Sequence, residues 1–140
     1  MKLNNLSAFI AISILGMLSI ILPVFILGDL KPYESPLFPL IRTGIEGISL
    51  YSISFLFLSS FIVKLFSKPS FWKIGLMSVA LFPLATFCEM IFDPTSHNLF
   101  PFEFIFYAIL TVPAIIGAAV SQVMKRFVIK KEVNTGYNKM

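Results

Sequence analysis

The sequence predicts an all-α integral membrane protein, built as one up-down-up-down bundle of four transmembrane helices and forming a single membrane domain over residues 1–140. Three observations predict it. The chain is 57% hydrophobic and 13% charged, with a mean hydropathy of +0.90, and a soluble domain of this length has too little interior to hide so much apolar surface. The apolar residues gather into four runs, each long enough for a helix to cross roughly 30 Å of hydrocarbon. The charges divide by sign between the two ends of those runs.

The first span covers about residues 6–28. It follows Lys2 and could pass for a secretory signal, but its apolar stretch exceeds the roughly 7–15 residues of such a segment, and no Ala-x-Ala site follows. It reads as a retained span. The second span, about 43–65, opens on Thr43-x-x-Glu46, the pattern of a capping box at a helix start. The third, about 71–93, follows the tight turn Ser67-Lys68-Pro69-Ser70, and Phe71-Trp72 suits an interfacial anchor. The fourth, about 101–125, starts at Pro101 with Glu103 in its first turn, where the helix dipole favours an acid. Pro23, Pro83 and Pro113 fall inside spans and should bend them. A basic tail, 126–140, ends in residues expected to fray.

Lys2, Lys64, Lys68, Lys73, Lys125, Arg126, Lys130, Lys131 and Lys139 share one side of a four-span chain, and only Lys31 and Arg42 lie on the other. The positive-inside rule then puts both termini in the cytoplasm, in a plasma or bacterial inner membrane. The net charge of +4 follows from this flanking pattern and does not point to nucleic acid. Lys125, Arg126, Lys130 and Lys131 could hold anionic lipid, at about 1 kcal/mol per basic side chain. An ordinary stop signal explains them as well. Cys88 is the single cysteine, so no internal disulfide forms.

Asp29, Glu34, Glu46, Glu89, Asp93 and Glu103 fall on or near the outer side. In helical projection the acids lead stripes of small and hydroxyl residues: Glu89-Ala85/Thr86-Phe82-Ser78-Gly75, Glu103-Tyr107-Thr111-Ala114-Ala118-Ser121, and Glu46-Ser49-Ile53-Phe57-Ser60. Such stripes favour close helix approach in lipid, so these faces should turn inward and the acids should converge. Glu89 and Asp93 stand four apart in a last turn, where the dipole disfavours anions. At roughly 6 Å and an effective dielectric of 20, two bare carboxylates repel by about 3 kcal/mol. A cation, a metal or a shared proton must compensate. Arg42 is the first candidate charge partner and Lys31 the second. With His97, the acids Glu46, Glu89, Asp93 and Glu103 form an oxygen and imidazole set that suits a divalent metal, although no metal signature is present. The run Phe100, Phe102, Phe104, Phe106, Tyr107 reads as an aromatic belt.

No motif names a reaction. Three functions stay open: a binding or accessory subunit of a membrane assembly, partnered by another membrane protein or by copies of itself; a metal- or carboxylate-dependent enzyme with Glu89, Asp93 and His97 as candidate catalytic residues; and a small cation- or proton-coupled transporter. The acids gather at one mouth rather than at mid-membrane, which weakens the transporter reading.

Overall fold

The structure, a computed structural model, describes residues 3–28, 38–94 and 100–137, the side chains of Phe100 and of 128–137 excepted. The described residues are helices and short connections, with no strand among them: α1 (Asn5–Leu27), α2 (Pro39–Glu46), α3 (Leu50–Phe66), α4 (Phe71–Ser78), α5 (Leu81–Phe92) and α6 (Phe100–Tyr137). Three helical segments among them are long and apolar enough to cross a membrane: α1, the α4–α5 pair and Pro101–Phe127. A fourth follows if α2 and α3 count as one bent span.

The local chemistry explains most boundaries. The Asn4 side chain caps α1 by accepting from the Ser7 N–H at 2.7 Å, and Gly28 closes it in the left-handed region at φ 73°. The second apolar run is not the single helix its sequence predicts. It turns by 106° between α2 and α3. Thr43 and Glu46 do not form a capping box: the Thr43 hydroxyl bonds back to the Pro39 carbonyl at 2.9 Å, and Glu46 is the last residue of α2. The capping box lies three residues later, with Ser49 and Ser52 bonded reciprocally. Restarting there changes the phase of the helix. Ser52, Leu56, Ser59, Ser60 and Val63 are buried, while Ile53 is 40% exposed instead of facing inward.

The third run is interrupted where Pro83 predicts trouble. Proline has no N–H to give the Val79 carbonyl and its ring crowds that group. The Phe82 N–H bonds to Val79 instead, at 3.0 Å, and the helix restarts as α5. Pro23 and Pro113 lie within continuous helices. No glycine or proline interrupts the chain from Ala118 to Thr135, and α6 continues through the basic residues to Tyr137.

Packing differs along the molecule. α3 packs most extensively on α6, which runs in the same direction, and α1 and α4 each contact α3 and α6 or one another. Backbones meet closely in this half. A Cβ on Gly16 would stand 1.8 Å from the Ser78 carbonyl oxygen, and one on Gly117 would stand 2.2 Å from that of Phe57. The inward stripes of the third and fourth runs are buried as their spacing predicts, from Gly75 to Glu89 and from Tyr107 to Ser121. Some hydroxyls bond across helices, as Ser13 does to the Met77 carbonyl at 2.7 Å. Those of Ser60 and Ser121 are buried without a hydrogen-bond partner, so small size is what their positions use. α5, by contrast, makes only light contact with α1 and α6.

The basic residues close one end. The Leu3 N–H bonds to the Phe66 carbonyl at 2.9 Å, tying the start of α1 to the end of α3. Lys125 on α6 donates to the Lys64 carbonyl at 2.6 Å and to that of Ser67 at 3.3 Å. The buried Lys64 ammonium donates to the Pro69 carbonyl. Cations thus satisfy carbonyls at and just past the C-terminus of α3, where they also complement its dipole. Trp72 is half exposed, with the Lys73 ammonium 5.3 Å from its ring.

Candidate ligand cavity at the acidic end

The light packing of α5 leaves a cavity of about 640 Å³ between it, α2 and α6, at the end opposite the lysines. α2 contributes Ile41, Arg42, Ile45 and Glu46, with Phe38 at its entry. Ala85, Thr86 and Glu89 come from α5, and Phe102, Glu103, Phe106 and Tyr107 from α6. The chain reaches this geometry because α2 lies across the end of α1, where Gly44 packs against Ile20 and Ile21, instead of continuing the line of α3.

Among the described acids Glu89 is the most enclosed, with 6% of its surface exposed. Its carboxylate accepts a hydrogen bond from the Phe38 N–H at 2.9 Å. Phe38 is the N-cap residue of α2, and its own side chain makes no capping bond. An acid from α5 therefore satisfies the N–H of the N-cap residue itself, the bond that a capping-box acid makes from within its own helix, at the positive end of the α2 dipole. The sequence demands a compensating partner for Glu89, and a backbone N–H at a helix start supplies part of it. A search among Lys and Arg side chains could not find this donor.

Arg42, the first candidate charge partner, lines the same cavity as Glu89. It pairs with Glu46 one turn along α2, at 3.4 Å, with both side chains about 40% exposed. Such a pair adds little stability in water. Asp93 is the C-cap of α5, half-buried, with its N–H bonded to the Glu89 carbonyl at 2.8 Å. Glu89 turns inward and lines the cavity; Asp93 caps the helix end and is not among the lining residues. Glu103 occupies the first turn of α6 and lines the wall. Lys31 and His97 lie outside the described residues. Among the described residues, no group of three or more His, Cys, Asp and Glu side chains is placed to hold a metal ion.

The aromatic run is more than a belt. Phe102, Phe106 and Tyr107 share with Glu103 the α6 face that lines the cavity. The Tyr107 hydroxyl bonds to Thr86 at 2.8 Å, bridging α6 and α5, and its ring stacks on Phe82 at 5.9 Å. The spacing 102, 103, 106, 107 is a helical face, and it is visible in the sequence once the alternation is set aside. At the other end, Arg126 is exposed and Lys125 is bonded to carbonyls as described above, while the side chains of Lys130 and Lys131 lie outside the described set.

Among the described residues, the cavity combines aromatic and aliphatic walls with three carboxylates and one guanidinium. Comparison with the models of known families, with curated proteins and with solved structures finds no match.

Proposed function

We propose that the chain is a small polytopic membrane protein that acts by binding: an accessory subunit whose four spans form an up-down-up-down bundle, with both termini cytoplasmic and the acid-lined cavity facing outward. The apolar helices are those of a membrane protein. One observation carries the binding role. The chain keeps about 640 Å³ open between α2, α5 and α6, and it turns the nearly buried Glu89 carboxylate toward that space. Native interiors are otherwise close-packed. No serine or cysteine among the lining residues offers a nucleophile, so capture of a ligand or partner group fits the wall chemistry better than covalent catalysis.

The test is gentle purification followed by native mass spectrometry and elemental analysis of one sample, for the parent chain and for Ala85→Trp, which fills the cavity. A bound molecule or protein chain should accompany the parent and be depleted at least tenfold in the variant, with helical content unchanged. Equal retention by both, or nothing bound to either, would overturn the reading.

A further inference from the structure

We infer that the lysine-rich end carries a site for an anionic phospholipid, with the phosphate on Lys68 and Asn4 and an acyl chain along α1. The site is independent of the acid-lined cavity and of which way the bundle faces. Another cavity, of about 510 Å³, lies between the start of α1 and the connection from α3 to α4, lined by Leu3, Asn4, Asn5, Leu6 and Lys68. The Leu3 N–H, bonded to the Phe66 carbonyl at 2.9 Å, holds the two segments together there. The sign of the charge at this end is set by the sequence. Residues 1–28, 47–88 and 104–131 contain no acid, so the stretches that reach this end carry one carboxylate side chain, Glu132 of the tail, against nine bases.

The lysines divide the work. The buried Lys64 ammonium donates to the Pro69 carbonyl, and Lys125 donates to the carbonyls of Lys64 and Ser67. Both serve the end of α3. Lys68, in the same turn, is exposed and lines the cavity instead. The Asn4 side-chain oxygen accepts from the Ser7 N–H at 2.7 Å and from the Ser7 hydroxyl at 2.8 Å, which leaves the NH2 of that amide as the half that donates outward. An ammonium and an amide NH2 at one opening suit phosphate oxygens, which accept from both. The apolar side selects a lipid over a free phosphate. Leu6, Ile10 and Ile14 stand four residues apart on one face of α1, each half exposed or more. They extend the Leu3 and Leu6 wall along the span, the track for an acyl chain whose headgroup rests at the start of the helix.

The experiment is native mass spectrometry of the full chain in detergent micelles, titrated with phosphatidylglycerol and with phosphatidylcholine of the same acyl chains. Phosphatidylglycerol should bind more tightly. Lys68→Gln should weaken it about fivefold, the factor that one basic side chain contributes at an anionic surface, and Lys68→Arg should not. Asn4→Asp keeps an oxygen to cap α1 and sets a carboxylate against the phosphate. Its helical content by circular dichroism should match the parent's, while phosphatidylglycerol binding falls at least as far as in Lys68→Gln. A phosphatidylglycerol with a photoactivatable diazirine in one chain should crosslink to residues 3–14, mapped by peptide mass spectrometry. Equal affinity for the two lipids, unchanged phosphatidylglycerol binding in both Lys68→Gln and Asn4→Asp, or crosslinks confined to other helices overturns the site. Millimolar inorganic phosphate should leave the lipid bound; displacement would identify a free phosphate as the ligand and overturn the lipid assignment.

Discussion

The Glu89 carboxylate, on α5, sits 2.9 Å from the backbone N–H of Phe38 and so holds the first turn of α2 from a different helix. Glu89→Gln preserves an acceptor in the same place, while Glu89→Leu removes it and strands a donor. We predict that Glu89→Gln unfolds in denaturant at or above the parent's midpoint and that Glu89→Leu loses about 1–2 kcal/mol, the scale of a lost N-cap. Amide exchange should localise the loss to residues 39–46. Equal stability of the two variants would remove the capping role.

Gly16 lies where α1 crosses the broken end of α4. A methyl group there would meet the Ser78 carbonyl oxygen at 1.8 Å, which is backbone and cannot swing aside. Gly16→Ala should therefore destabilise by roughly 1–3 kcal/mol despite alanine's better helix propensity. A denaturation midpoint unchanged or raised in Gly16→Ala would show that α1 can move away without loss.

Ala118 is fully buried and Ile116, two residues earlier, is 50% exposed. Phenylalanine at position 118 should disrupt folding, measured as loss of the monodisperse peak in size-exclusion chromatography. Phenylalanine at 116 should leave the peak intact, because that position faces outward. Similar tolerance at both positions would contradict the assigned face.

Orientation can be read in intact cells. With Cys88, which is exposed on α5, changed to serine, a cysteine introduced at Ser96 should react with an impermeant maleimide before lysis. Labelling only after lysis would place the lysine-rich connections outside and reverse the proposed topology.

The helical class and the buried faces of the third and fourth runs were legible because lipid restricts the backbone to helices and small residues mark close contacts. The fate of the second run was not. Thr43-x-x-Glu46 and Ser49-x-x-Ser52 are both plausible starts, and only the packing of Gly44 and Gly47 against α1 decides that the first belongs to a separate helix. Gly16 carried no signal either, since what it touches is a carbonyl exposed by a proline-induced break 62 residues away. Glu46, Glu89 and Glu103 line one cavity, but the stripe assigned to Glu46 does not account for its place, because Glu46 ends α2 and α3 restarts in a new phase. The separation of Asp93 from Glu89 was not legible, because helix spacing places both on one face and cannot say that the helix stops between them.

Lys125 gives the molecule a direction in time. Its ammonium answers carbonyls of residues 64 and 67, which leave the ribosome about sixty residues earlier. Until α6 has been synthesised, those carbonyls lack the Lys125 ammonium that they bond in the folded chain. Final closure is therefore tied to completed translation of the fourth apolar stretch. A ribosome stalled before residue 125 would carry a chain with its first helices made and its basic end still unlatched.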